Sequence, residues 1–92
     1  MNLLSFDEFK QKSLANGFDE VIERDWSPNT VLDTHTHPFA VNAVVTRGEM
    51  WLSMAGQTQH LLPGDTFELD RNVPHDERYG PEGATYWVAR KN

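Results

Sequence analysis

The chain has 92 residues, a length that supports one domain with a modest core. It contains no cysteine, which excludes disulfide frameworks, thiolate metal sites and cysteine nucleophiles and leaves nitrogen and oxygen as the available metal ligands. Fourteen acidic residues against eight basic ones give a net charge of -6, which disfavours nucleic acid and anionic membrane surfaces as partners.

The N-terminal segment predicts one short helix. Ser5 and Glu8 have the spacing of a capping box, in which each side chain bonds a free backbone N–H of the first turn. Apolar residues follow in a rough stripe, and Gly17 is suited to end the helix in a left-handed conformation. We therefore predict a helix over about 5–16, and we expect it to cap an end of the β-core instead of binding a partner.

The same segment bears on where the protein resides. Met1–Asp7 lacks a basic region followed by a long apolar run, and no stretch of the chain is apolar over the length that spans a bilayer. Together with the absence of cysteine, this pattern predicts a cytoplasmic protein.

After Gly17 the pattern changes to short alternating runs separated by proline, glycine, asparagine and aspartate, which is typical of antiparallel strands. The predicted strands lie near 18–26, 30–37, 41–46, 49–54, 57–62, 66–70 and 84–90. Seven strands in so few residues predict a sandwich or barrel. We expect an all-β fold in a single domain over 1–92, with the barrel over about 18–90.

The second predicted strand carries the feature with the clearest chemistry. It contains the segment Asp33-Thr-His-Thr-His-Pro38. Residues two apart in a strand project from the same face, so His35 and His37 can direct two imidazoles at one atom. The next strand is apolar on both faces, so the histidines begin beside a hydrophobic strand. The segment is half of a candidate metal site.

Further motif residues follow His37 at characteristic spacing: Val41, Gly48-Glu49, Pro63-Gly64-Asp65 and Val73-Pro74-His75. In this order and at this separation, they resemble the two motifs of the cupin superfamily, the small jelly-roll barrels also called double-stranded β-helices. In that family the first motif supplies two histidines and a glutamate, and the second supplies a third histidine just after a proline. The resemblance covers about 31–79 and implies a cupin-like jelly-roll barrel.

The resemblance implies that His35, His37 and His75 are the ligands of one divalent transition metal. Neutral imidazole nitrogens bind iron, nickel, zinc, manganese and copper, and three of them leave coordination positions open for water, oxygen or substrate. The spacing of the residues does not select one of these metals.

The chain departs from the family pattern at Val41, which occupies the position of the ligand glutamate. Without that carboxylate the double positive charge of the metal is uncompensated, which favours an anionic small-molecule ligand. Asn42 is a substitute ligand only if a bulge shifts the strand phase. We expect Phe39, Val41 and Tyr79 to line the ligand pocket.

Other residues have structural explanations. His60 fits no ligand position of the resemblance, and we expect it at the surface or packed on a strand. Gly48 and Gly64 are expected in turns that require positive φ, and Asp65 is expected to bond the backbone of its own turn.

Two functions remain open from the sequence. The first is a metal-binding cupin that binds an anionic small molecule, for which dioxygenase and isomerase chemistry are both compatible. The alternative is a non-catalytic ligand-binding or sensor cupin without bound metal, whose histidines bond the ligand directly. A homodimer is expected because an open sandwich exposes strand edges and an apolar face. Phe18, Ile22 and Trp26 are candidates either for that interface or for the core.

Overall fold

A computed structural model describes residues 5–92 of the chain. Its elements are α1 (Phe6–Ala15), β1 (Glu20–Trp26), β2 (Val31–His35), β3 (Ala40–Met54), β4 (Gln57–Leu61), β5 (Thr66–Leu69) and β6 (His75–Lys91). All strand pairs are antiparallel. The predicted all-β architecture with a short N-terminal helix is confirmed. Among the described residues, no helix combines the length and the apolar character needed to cross a membrane.

The helix α1 begins at the predicted capping box. The Ser5 hydroxyl accepts a hydrogen bond from the Glu8 backbone N–H at 3.2 Å, and the Glu8 carboxylate accepts one from the Ser5 N–H at 3.4 Å. Phe6 and Phe9 pack against Trp87 of β6, with ring centroids 5.7 and 6.0 Å apart. The helix therefore covers part of one face of the sheet, and its predicted existence is confirmed.

The strands β3 and β6 form the frame of the sheet. They pair with each other from Ala40 opposite Lys91 to Ser53 opposite Asp76. The first half of β3 and the second half of β6 also pair with β5 and β1, whereas the other two halves pair with β4 and β2. The fold thus has two four-stranded layers, β1-β6-β3-β5 and β2-β6-β3-β4, which share β3 and β6.

Both long strands change their inward-facing phase where they pass between the layers. In β3, Val41 and Val45 are buried before the change, and Met50 and Leu52 are buried after it. The register shifts between Val45 and Arg47 and again between Gly48 and Met50. Such irregularities allow one strand to turn a corner and serve two layers.

Because β3 and β6 continue through their corners, the strand ends predicted inside each of these two strands are wrong. The predicted strands 41–46 and 49–54 are the two halves of β3, and the predicted turn Gly80-Pro-Glu-Gly83 lies inside β6. The stretch 75–79, which lies outside the predicted strands, is the first part of β6. Glycine and proline mark corners here, because β3 and β6 remain paired with each other on both sides of the bend.

The core lies between the two layers and includes apolar side chains from both of them. Its buried members are Val41, Ala43, Val45, Met50, Leu52, Leu61, Phe67, Leu69, Tyr79, Ala84, Tyr86 and Val88. Ile22 and Trp26 of β1 are partly buried and pack against this core. Of the two roles considered for these two residues, the structure supports packing in the core.

The predicted turn residues adopt the expected conformations. Gly48 and Gly64 have φ values of +75° and +95°. The Asp65 carboxylate accepts a hydrogen bond from the backbone N–H of Leu62 at 2.8 Å, so it stabilises its own turn.

Replacing Gly48 by alanine is expected to be severely destabilising. A Cβ at this position would lie 2.0 Å from the carbonyl oxygen of Gly83, so the two strand corners would have to separate. Gly56→Ala is a matched control, because Gly56 has the same φ of +75° but no atom within 4 Å of the added Cβ. We expect Gly56→Ala to lower the unfolding free energy by about 1–2 kcal/mol and Gly48→Ala by at least about 3 kcal/mol. Urea denaturation measures both, and equal losses would contradict the role given to the contact.

Candidate functional site

The structure brings together the three histidines that the motifs single out. His35 ends β2 and lies directly opposite His75, the first residue of β6. His37 lies two residues beyond the end of β2, so the strand predicted over about 30–37 is shorter than expected and holds only the first of the two histidines. One side-chain nitrogen from each of the three histidines lies within 4.8 Å of the others. His75 is buried at 2% exposure, so the cluster extends from the surface into the interior.

Hydrogen bonds to the backbone select one tautomer for all three rings. Each Nδ1 faces a carbonyl oxygen two residues away: His35 faces Asp33 at 2.7 Å, His37 faces Phe39 at 3.3 Å and His75 faces Val73 at 2.8 Å. A carbonyl oxygen can only accept, so each neutral ring carries its proton on Nδ1. The three Nε2 atoms are left with free lone pairs.

This arrangement fits a divalent transition metal. Imidazole nitrogens are suitable ligands for such ions, and Nδ1–H bonded to a carbonyl is the usual outer-shell contact of a metal-binding histidine. The neutral form is also favoured at His37. Burial lowers its pKa below the ordinary value of 6.5, and the nearby His75 and His35 lower it further, against the opposing effect of the Phe39 carbonyl.

Glu77 is a site residue that the sequence interpretation missed. It lies two residues after His75 on the same face of β6 and is 6% exposed. Its Oε2 atom lies 3.4 Å from Nε2 of His35 and 3.9 Å from Nε2 of His75. The expectation of a histidine cluster without a carboxylate therefore needs correction. The alternation His75-x-Glu77 would have revealed it, had 75–79 been recognised as a strand.

Tyr79 continues the same face of β6 and holds Glu77 in place. Its hydroxyl donates to Oε1 of Glu77 at 2.6 Å, and its ring stacks on Trp26 with centroids 5.1 Å apart. Burial raises the pKa of Tyr79 far above its ordinary value of 10.0, so the hydroxyl stays protonated and remains a donor. Tyr79 is 1% exposed and contacts the site through Glu77.

A cavity of about 140 Å³ opens beside the histidine cluster. The three histidines and Glu77 line it together with Phe39 and Val41. Of the predicted pocket residues, Phe39 and Val41 thus face the cavity, whereas Tyr79 lies behind Glu77. Phe39 also orients His37, because their rings stack with centroids 4.3 Å apart and planes 3° from parallel.

The cavity also contains two arginines that the sequence interpretation did not single out, Arg24 of β1 and Arg90 of β6. Arg24 lies opposite Tyr86, and Arg90 lies opposite both Glu20 and Val41. Alternation along β1 places Arg24 on the same face as Ile22 and Trp26, which is the signal that would have found it.

His60 lies outside the cluster. Its ring stacks on Trp51 with centroids 4.8 Å apart, and its Nε2 atom lies 2.7 Å from Oε2 of Glu49. Within residues 5–92, His35, His37 and His75 form the group of side chains arranged to hold a metal ion. The surface position expected for His60 agrees with its contacts.

The two-layered antiparallel barrel with a histidine cluster inside it defines a cupin. Crystal structures of the DMSP lyases RdDddP and RnDddQII match 78% of this chain and 37% of theirs, with a TM-score of 0.72 and 20% identity. An RmlC-like cupin from Shewanella frigidimarina matches 83% of this chain and 68% of its own, with a TM-score of 0.70 and 17% identity. KdgF from Halomonas sp. matches 78% of this chain and 67% of its own, with a TM-score of 0.67 and 18% identity. The predicted double-stranded β-helix is confirmed.

A protein-family model assigns the chain to one family with this fold. The model of the AraC-like ligand-binding domain matches residues 18–89, which include β1 to β5, most of β6, the three histidines and Glu77. The chain belongs to the AraC-like ligand-binding domain family. No curated protein sequence matches it. The chain spans little more than a third of the DMSP lyase chain that it resembles, and the likeness to these structures shows the fold alone.

The lowered pKa of His37 predicts how the stability of the metal-free protein depends on pH. Between the folded-state pKa and 6.5, the unfolded chain binds more protons at this position than the folded one, so stability falls as pH falls through this interval. The thermal midpoint of chelator-treated protein should therefore decrease from about pH 7 to about pH 5, and His37→Gln should reduce that decrease. His60→Gln is the control, because His60 lies outside the cluster. An unchanged pH profile for His37→Gln would contradict the prediction.

Proposed function

We propose that the protein is a small metal-binding cupin that holds one divalent transition metal on His35, His37 and His75 and binds an anionic small molecule. The convergence of three Nε2 lone pairs beside a cavity is the observation that carries the proposal. Iron, nickel, zinc, manganese and copper all suit this ligand set. Membership of a ligand-binding domain family supports the small-molecule part.

A bound metal would supply Lewis acidity and open coordination positions for a ligand. The residues of the chain define what surrounds those positions. Phe39 and Val41 make one wall of the cavity apolar, which limits water around the ligand. Glu77 places a carboxylate oxygen beside His35, where it can accept a proton from a ligand bound in the cavity. Tyr79 holds that carboxylate in position.

The site favours an anionic ligand even though it contains the carboxylate of Glu77. A divalent metal and one carboxylate would leave one positive charge, and the guanidinium of Arg24 adds to it at the same cavity, whereas the charge of Arg90 is offset by Glu20. Small acids and enolates are therefore favoured over cations. Dioxygenase and isomerase chemistry both remain compatible with the site, and the occurrence of DMSP lyases among the structural neighbours supports catalysis as one use of this fold.

The family assignment also favours a second candidate. A non-catalytic ligand-binding or sensor cupin without bound metal would use the histidines and Glu77 as hydrogen-bonding groups for a ligand. The two candidates differ in whether metal is required for the ligand to bind.

Measuring metal content tests the first candidate. Untagged protein purified with and without exclusion of oxygen should contain about one divalent metal per chain by elemental analysis. His75→Ala should lose the metal because a buried ligand is removed, and His60→Ala should retain it because His60 lies on Trp51 outside the cluster. Circular dichroism should establish that both variants are folded.

Absence of metal from every preparation, together with failure of added nickel, zinc, iron, manganese or copper to bind, would reject the first candidate. Equal loss in His75→Ala and His60→Ala would also contradict the assigned ligands. If metal is present, oxygen consumption with candidate anionic substrates distinguishes an oxygenase from an isomerase or a passive binder.

The proposal also covers the oligomeric state and the location of the protein. We propose a homodimer, which would cover exposed strand edges, and light scattering coupled to size-exclusion chromatography measures its mass. We also propose a cytoplasmic location, which the absence of cysteine supports.

A further inference from the structure

Arg24 is a charged residue of the cavity that the proposed metal site does not use. It lies on the inner face of β1 opposite Tyr86, and both side chains line the cavity. Its guanidinium lies over the Trp26 ring, 4.7 Å from the ring centroid. The ion pairs formed within residues 5–92 do not include Arg24. It is therefore a cation that faces the cavity without a carboxylate partner from the described chain.

The other charges of the cavity do have partners. Arg90 bonds Oε1 of Glu20 through Nη1 at 3.0 Å. Oε1 of Glu77 accepts a hydrogen bond from the Tyr79 hydroxyl, and Oε2 of Glu77 lies 3.4 Å from Nε2 of His35. Of the two arginines that line the cavity, Arg24 is thus the one that forms no ion pair within residues 5–92. A partly desolvated cation in such a place favours an anionic ligand group over water alone.

A chain of contacts connects Arg24 to the histidine cluster. The Trp26 ring beneath its guanidinium stacks on Tyr79, with planes 19° from parallel. Tyr79 bonds Glu77, and Glu77 lies 3.4 Å from His35. Arg24 lines the same cavity as the histidines, and its own contact is with Trp26, whereas Glu77 contacts His35. A ligand that contacts both therefore needs two polar ends.

We propose that Arg24 is a carboxylate-binding residue, and that the ligand is a small organic acid whose carboxylate pairs with Arg24 while a second oxygen donor faces the histidine cluster. The planar guanidinium suits a carboxylate because it can donate two parallel hydrogen bonds. The cavity of about 140 Å³ suits a small organic acid. The contact of the second oxygen donor rests on the proposed metal site, whereas the contact with Arg24 does not.

Short dicarboxylates test the proposal. Malonate, succinate and glutarate, each with its monoamide, are titrated by calorimetry into nickel-loaded and into metal-free protein at constant ionic strength. Arg24→Gln removes the charge of the cavity arginine. Arg78→Gln is the matched control, because Arg78 lies over Trp51 at 4.4 Å in a similar stacking geometry but is exposed and does not line this cavity.

At least one dicarboxylate should bind the nickel-loaded parent protein, and its monoamide should bind about tenfold more weakly. Arg24→Gln should weaken binding of the dicarboxylate about tenfold, to the level of the monoamide, and Arg78→Gln should leave its affinity unchanged. In the ¹H–¹⁵N spectrum of the parent, the Nε–H resonance of Arg24 should shift on addition of the dicarboxylate. Unfolding midpoints of the variants should match the parent.

Several results would overturn the proposal: no binding by any member of the series, equal affinity in the parent and in Arg24→Gln, or an equal loss in Arg78→Gln. Titration of the metal-free protein distinguishes failure of the Arg24 site from failure of the metal site. If nickel does not bind, dicarboxylate binding that still depends on Arg24 supports the carboxylate site, and its absence rejects that site independently.

Discussion

The strands β3 and β6 are hydrogen-bonded to each other along nearly their whole length, and every other strand pairs with one of these two. Both strands must turn between the layers without losing this ladder. The close approach of Gly48 to the Gly83 carbonyl is where that requirement is tightest, since any side chain at Gly48 would push the corners apart. The two layers keep their relative positions because this one pairing serves both of them.

The location of the site follows from the change of phase in β6. Before its corner, the strand directs His75, Glu77 and Tyr79 inward, and after the corner it directs Tyr86 and Arg90 to the same cavity wall. One strand therefore supplies an imidazole, a carboxylate and a guanidinium to one cavity. The antiparallel partner β2 adds His35 directly opposite His75, so the histidine cluster spans a strand pair that the main-chain ladder already fixes. Little reorganisation is then needed to hold an ion or a ligand.

Much of this arrangement could be predicted from local patterns. The capping box, the alternation around His35 and His37 and the Pro-His75 motif each depend on neighbouring residues, and these signals located the helix and the histidine cluster. Glu77 and Arg24 follow from alternation only when 75–79 is known to be a strand and the inward face of β1 is known, and both of these depend on pairing with distant segments. The cause is physical: a strand with a glycine or proline corner keeps its pairing through partners distant in sequence, and such partners leave no local trace.

The position of β6 after all the other strands has a consequence for how the protein folds. Because β1, β2 and β3 all pair with β6, none of them has its full set of main-chain partners until β6 has been synthesised. On the ribosome, the apolar β3 can pair with β4 and β5, but the edge that pairs with β6 stays open until β6 emerges, a state that favours association with other chains. Contacts between such distant segments also make closure of the barrel slow compared with formation of α1. The long strand that assembles the cavity is therefore also the one that delays protection of the chain against aggregation.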